Sequence, residues 1–113
     1  MMQIYKIFLR PEWDALRDLG SSLGAPVDLA DGYIHFSAAP QLAETAAKYF
    51  AGQSDLVLVA CESERLGESL KWEPSRGGAL FPHLYRALSL ADVVWDKSLP
   101  LGASGHIFPE GVF

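Results

Sequence analysis

Hydrophobic positions fall in short blocks whose spacing changes along the chain. The block Gln3–Leu9 is rich in Ile, Tyr and Phe and predicts a strand. Pro11 stops it and opens a helix, with Glu12 and Asp14 near the positive helix end. Trp13, Leu16 and Leu19 recur along one stripe of that helix, and Gly20 is its expected C-terminal cap. The stretch SSLGAP reads as loop, and Asp31-Gly32 as a turn before YIHFS, a short strand. Pro40 opens a second helix with an apolar face of Leu42, Ala43, Ala46, Ala47 and Phe50, ended by Gly52. DLVLVAC is continuously apolar, the pattern of a strand buried on both faces. Beyond it SLKWE predicts a short strand, PSRGGALFP a loop, and HLYRAL and VVWDKSL further strands. No repeat or linker divides the chain. The expectation is one α+β domain over residues 1–113, with two helices and five or six short strands.

Composition narrows the classes of protein. Half of the 113 residues are apolar, which excludes an extended disordered chain. The longest apolar run, 56–61, is far too short to span a bilayer. The opening MMQIYKIFLR interrupts its apolar residues with Lys6 and Arg10 and lacks a signal-peptide core, so a cytoplasmic location is the default expectation. With Cys61 the only cysteine, no intrachain disulfide forms. The net charge of −5 argues against a broad nucleic-acid-binding face. Yet between Arg65 and Arg86 four cations face only two acids, and this locally cationic stretch contains Gly77, Gly78 and His83.

Two segments carry candidate chemistry. In an extended YIHFS, alternation turns Tyr33, His35 and Ser37 to one face, where phenol, imidazole and hydroxyl can bind a polar ligand and His35 can move a proton. The plainer reading is a structural histidine, with Ser37 helping to start the next helix. In KWEPSRGGALFPHLYR, Gly77 and Gly78 permit an anion-binding turn, and Arg76 can grip a phosphate or carboxylate with two bonds. His83 and Tyr85 share a face opposite Leu84 and Arg86. Glu73 can orient an arginine or a ribose hydroxyl, or act as a base. The plainer reading there is a surface turn with an Arg–Glu pair. Neither a P-loop nor a GxGxxG string is present. His35, His83 and His106 lack metal-ligand spacing, so no metal site is expected. Cys61 ends the most apolar strand, where an inert thiol is expected, and a Cys–His hydrolase is the minor alternative.

The segments GYIHFSAAPQLAETAAKYFAGQSDLVLV and LKWEPSRGGALFPHLYRAL resemble the small bacterial proteins grouped as domain-of-unknown-function family 952. The resemblance runs from IYKI through VVW, and its most specific strings are IHFS and GGALFPHLY. It implies an ADP-ribosyltransferase-like fold, an α+β architecture around a split antiparallel sheet with two helices. IHFS also partly resembles, at His35 and Ser37, the H-x-H-aliphatic-S string of RNA 2′-phosphotransferases. In the first strand the family commonly has a histidine, as in IYHIT, where related transferases hold a nicotinamide dinucleotide. Here IYKIF places Lys6 at that position. Lysine keeps a cation but offers neither a neutral imidazole nor a planar fork.

The leading expectation joins these readings. A nucleotide-type or other phosphorylated ligand, with NAD and ADP-ribose as candidates, binds between YIHFS and the SRGGALFPHLY loop. Arg76 and the amides of Gly77 and Gly78 hold phosphate, His35 and Ser37 contact ribose, and Tyr33 or Tyr85 stacks a base. His83 and Lys6 complete the binding set. The catalytic pair in an NAD-dependent transferase is then His35 and Glu73, with Glu73 stabilising positive charge at the ribose or orienting the acceptor. The alternative from another class is a non-catalytic ligand-binding or interaction module.

Overall fold

A computed structural model describes residues 2–113. In chain order the elements are β1 (Gln3–Leu9), α1 (Arg10–Leu19), β2 (Ser21–Ser22), α2 (Pro26–Asp31), β3 (Ile34–His35), β4 (Ser37–Ala38), α3 (Ala39–Tyr49), β5 (Leu56–Glu62) and α4 (Ser63–Leu66). They continue with β6 (Leu70–Pro74), β7 (Leu80–Leu84), β8 (Leu88–Ser89), β9 (Val93–Leu99), β10 (Leu101–Gly102) and β11 (Gly105–His106). The result is a mixed α/β fold with antiparallel sheets. The main sheet has the order β4-β1-β5-β9, and a second has the order β3-β7-β6.

β5 lies inside the main sheet and is buried on both faces, as its continuous apolar run requires. Val57, Val59 and Cys61 join Ile4, Phe8, Trp13 and Leu16 in one core, which Ile34 and Leu84 of the second sheet complete. Leu56, Leu58 and Ala60 pack on the other face with Tyr5, Ile7, Leu42 and Ala46. The first core is thus held between the two sheets and α1. Burial pushes the Cys61 thiol up to about 12, with the Asp92 charge adding to the shift and Arg86 and Arg65 opposing it. The thiol is fully buried, and no imidazole bonds it among the described residues, which counts against the Cys–His hydrolase alternative.

Three departures from the pattern-based expectation have local physical causes. The stretch read as loop before Asp31 contains α2, whose N-cap is Ala25. Helices α1, α2 and α3 share one start: a proline in the first turn, and a backbone N–H that donates to the side chain three residues ahead. These bonds run from Leu9 to Glu12 (2.9 Å), Ala25 to Asp28 (2.7 Å) and Ala38 to Gln41 (3.0 Å). Leu19, expected on the buried stripe of α1, is 79% exposed, and Ala43 and Ala47 of α3 are exposed too. YIHFS is not one strand. His35 pairs with His83 in the second sheet, Phe36 donates its N–H to the Pro82 carbonyl (3.0 Å), and Ser37 pairs with Tyr5 in the main sheet. Pro82 lies within the central strand β7, a place where the missing donor is usually excluded. Its neighbour β3 is only two residues long, so little ladder is lost.

No helix among the described residues is long and apolar enough to cross a membrane. Leu58→Ala removes a fully buried side chain beside β1 and should cost about 2–5 kcal/mol in urea unfolding. Cys61 should resist alkylation in the native protein at neutral pH and react once the chain is denatured; rapid native labelling would contradict the burial of β5.

Candidate functional site

Asp28 is the starting point, although its own side chain is fully buried. One carboxylate oxygen takes the Lys6 ammonium at 2.9 Å and the Ala25 amide at 2.7 Å. The other takes the His35 ring at Nδ1 (2.6 Å) and the His35 amide (3.1 Å). Burial opposes ionisation of this carboxyl, but the bond from His35 together with the charge and bond of Lys6 outweighs it and holds Asp28 at about 2. Gly24 makes room for it: at φ +100 a Cβ there would run into the Asp28 carboxylate. Lys6, only 7% exposed, also donates to the His35 carbonyl at 3.2 Å. The residue implied by resemblance as a ligand contact in the first strand therefore serves as the internal partner of Asp28.

His35 hydrogen-bonds Asp28 through Nδ1 at 2.6 Å, and its Nε2 lies 2.9 Å from an Asp31 carboxylate oxygen. His83 differs. Its Nδ1 faces Glu73 Oε1 at 2.8 Å, and no protein group among the described residues bonds its Nε2. Tyr33 binds these groups together as a stack, with ring centroids 4.6 Å from His35, 4.1 Å from His83 and 5.2 Å from Tyr85. Tyr85 donates its hydroxyl to the same Glu73 oxygen at 2.7 Å. That bond, with burial and the charges of Glu73 and Tyr33, raises the Tyr85 phenol to about 12. Burial, then the charges of Asp31 and Glu73, raises the Tyr33 phenol as well. Both phenols are therefore donors at neutral pH. Bonds from Tyr85 and His83 pull Glu73 down, so it is a carboxylate there.

Register extends the site. Residues directly opposed in antiparallel strands share a face. His35 opposes His83, His83 opposes Lys71, and Phe81 opposes Glu73. These five lie on the face of the second sheet opposite Ile34 and Leu84, which belong to the core. Arg76, in the turn between β6 and β7, covers the Phe81 ring at 4.9 Å. The same face thus carries an aromatic and imidazole end and a guanidinium end.

Of the residues expected from the sequence, Tyr33, His35, Glu73, His83 and Tyr85 are brought into contact, with Lys6 behind them through Asp28. Ser37 is not on the Tyr33 and His35 face; it is buried, with its hydroxyl on Thr45 at 2.9 Å. Gly77 and Gly78 form a short turn in which the Gly78 amide is already used by the Ser75 carbonyl at 2.8 Å. The cationic segment is partly neutralised from outside: Arg86 makes a two-bond pair with Asp92, and Arg76 meets Glu44. His106 bonds the Gln53 carbonyl away from the other histidines. Among the described residues no group of three or more His, Cys, Asp or Glu is arranged to hold a metal. Asp28 and Asp31 were not singled out from the sequence. Their signal was the proline two residues before Asp28, which marks a helix start with an acid in its first turn.

The chain belongs to the family described as protein of unknown function (DUF952), whose model matches residues 7–96. Among solved structures, the crystal structure of protein CC0527 from Caulobacter crescentus is 58% identical over 92% of this chain and 91% of that one, with a TM-score of 0.88. A crystal structure of its double mutant gives 56% identity, the same coverage and the same TM-score. The solution NMR structure of CC0527 gives 57% identity over 94% and 91%, with a TM-score of 0.84. No curated protein matches.

Asp28→Asn should destabilise the protein at neutral pH by about 3–5 kcal/mol, because Lys6 is left buried without its counter-charge. The sign of the pH dependence follows from a carboxyl held below its ordinary 3.8. The stabilisation is complete above about pH 5 and is lost as pH falls toward 2, by roughly 2 kcal/mol. Urea unfolding of both proteins across that range measures it, and a stability gap independent of pH would refute the pairing.

Proposed function

We propose that the protein binds a nucleotide-type ligand along the outer face of the second sheet, its planar ring at Tyr33 and Tyr85 and its phosphate at Arg76. One observation carries this reading: a single sheet face aligns His35, Lys71, Glu73 and the buried His83 and Phe81, with Tyr33 stacked on His83 and the Arg76 guanidinium over Phe81. Phe81 and His83 are two residues apart on β7, or about 7 Å, a spacing a nucleoside diphosphate can bridge. Arg76 gives the turn end of the face a cation and Lys71, opposite His83, gives the other end one, while Glu73 and the tyrosine hydroxyls supply hydrogen bonds to a ribose.

NAD and ADP-ribose are the candidates tested first. The ADP-ribosyltransferase-like reading of the fold rests on the family resemblance, and the separation of a four-stranded from a three-stranded antiparallel sheet is in keeping with it. In a transferase of that kind the carboxylate of Glu73 stabilises positive charge growing at the ribose. His83, oriented by Glu73 and with no protein group bonded to Nε2 among the described residues, takes the acceptor proton. The near-complete burial of His83 equally favours the second reading, a binding module without turnover.

In a thermal-shift panel, ADP-ribose or NAD at about 100 times its dissociation constant should stabilise the protein by roughly 2.7 kcal/mol, a rise in Tm on the order of 10 °C. Adenosine, lacking the anion, should do less, and Arg76→Ala should remove most of the difference. Release of nicotinamide from NAD, abolished in His83→Ala and in Glu73→Gln, would establish a transferase; binding without release would establish the module. The absence of any shift at millimolar ligand would rule out the proposed site.

A further inference from the structure

The guanidinium of Arg76 is held more firmly than a turn residue requires. It lies over Phe81 at 4.9 Å and near Tyr49 at 5.5 Å, and its side chain is 13% exposed. Nη2 donates to the Thr45 hydroxyl at 3.1 Å. That hydroxyl also donates to the Gln41 carbonyl at 3.0 Å and meets Ser37 Oγ at 2.9 Å. Gln41 in turn donates its amide to the Leu80 carbonyl at 2.7 Å, pinning the start of β7 to α3. The fork is therefore fixed in place by aromatic rings and neutral hydroxyls. The one acid on it is Glu44, whose side chain is 68% exposed and which reaches Nε through a single oxygen at 3.0 Å. Among the described residues Nη1 has no protein partner.

From this arrangement we propose that Glu44 is a displaceable internal anion, holding a subsite for a ligand oxyanion at the Arg76 guanidinium, whose fork Thr45 and Ser37 keep in place. The proposal rests on the reading above, in which Arg76 receives the phosphate end of the ligand. A planar guanidinium makes its strongest contacts with two oxygens of one phosphate or carboxylate, and Glu44 uses it with one. The Glu44 carboxylate is already largely in water, so swinging it off Arg76 costs little. Before the ligand arrives, Glu44 keeps the fork aligned and neutral. After exchange its charge stays near the incoming anion and opposes it. Glu44 thus sets how tightly the face holds phosphate without touching the ring end.

Calorimetric titration of the full chain with ADP-ribose, inorganic phosphate, acetate and adenosine tests this. Glu44→Gln and Glu44→Ala should each bind ADP-ribose about two- to tenfold more tightly than the natural protein, with adenosine unchanged. The gain should vanish when Arg76→Ala is added, and the unfolding midpoint of each variant checks that it folds. A gain with phosphate and none with acetate assigns the subsite to phosphoryl groups; the reverse assigns it to carboxylates. If ADP-ribose binds in an Arg76-dependent way and neither Glu44 variant binds it more tightly, the displaceable anion is wrong while the ligand face stands. If no phosphate-bearing probe binds the natural protein or the variants, both fall together.

Discussion

A carboxylate with no access to water governs the architecture around the candidate site. An ionised Asp28 in that position is tolerable only if every lone pair is matched, and four donors from three separate segments do so: Lys6 from β1, the amide of Ala25 ahead of α2, and the ring and amide of His35 in β3. The main sheet, a short helix and the second sheet are thereby joined at one point. His35 is fixed by this joint, Tyr33 stacks on His35, and His83 lies under Tyr33. The geometry of the surface follows from a charge beneath it.

The longer elements were legible because their periodicity is strong. β1, β5, β6 and β9, and the helices α1 and α3, lie where alternation, apolar runs, prolines and glycines put them. The tight joints were not. α2 begins after Ala25, a residue that cannot cap a helix with its side chain, and the donor–acceptor pair that replaces the cap is supplied by Asp28 from inside the helix. YIHFS has the alternation of a single strand, but two sheets compete for it: the second sheet takes Ile34 and His35, and the main sheet takes Ser37 with the next residue, Ala38. Local pattern cannot reveal that competition, because the partners His83 and Tyr5 lie far away in sequence. The same cause separates the candidate residues: Tyr33 and His35 remain together, whereas Ser37 crosses to the main sheet.

Histidines that look equivalent in the sequence acquire different capacities from their neighbours. His35 lies between two carboxylates and acts as a bridge. His83 has one carboxylate and an open nitrogen, and its ring is oriented by Glu73, which also holds Tyr85. The carboxylates placed around each ring make the distinction, two at His35 and one at His83.

β9 closes one side of the main sheet, with β5 on its inner flank and, among the described residues, no further strand beyond it. Its outer backbone amides and carbonyls form a seven-residue template that a strand from another molecule can copy. Asp96 and Lys97 stand exposed in the middle of that template, and Pro100 follows immediately after its end. A strand added there must desolvate both charges and then meets a residue with no hydrogen to donate. The rim of the sheet is thereby guarded against growth into an intermolecular ladder, which lets so apolar a strand as β5 lie only one position from solvent.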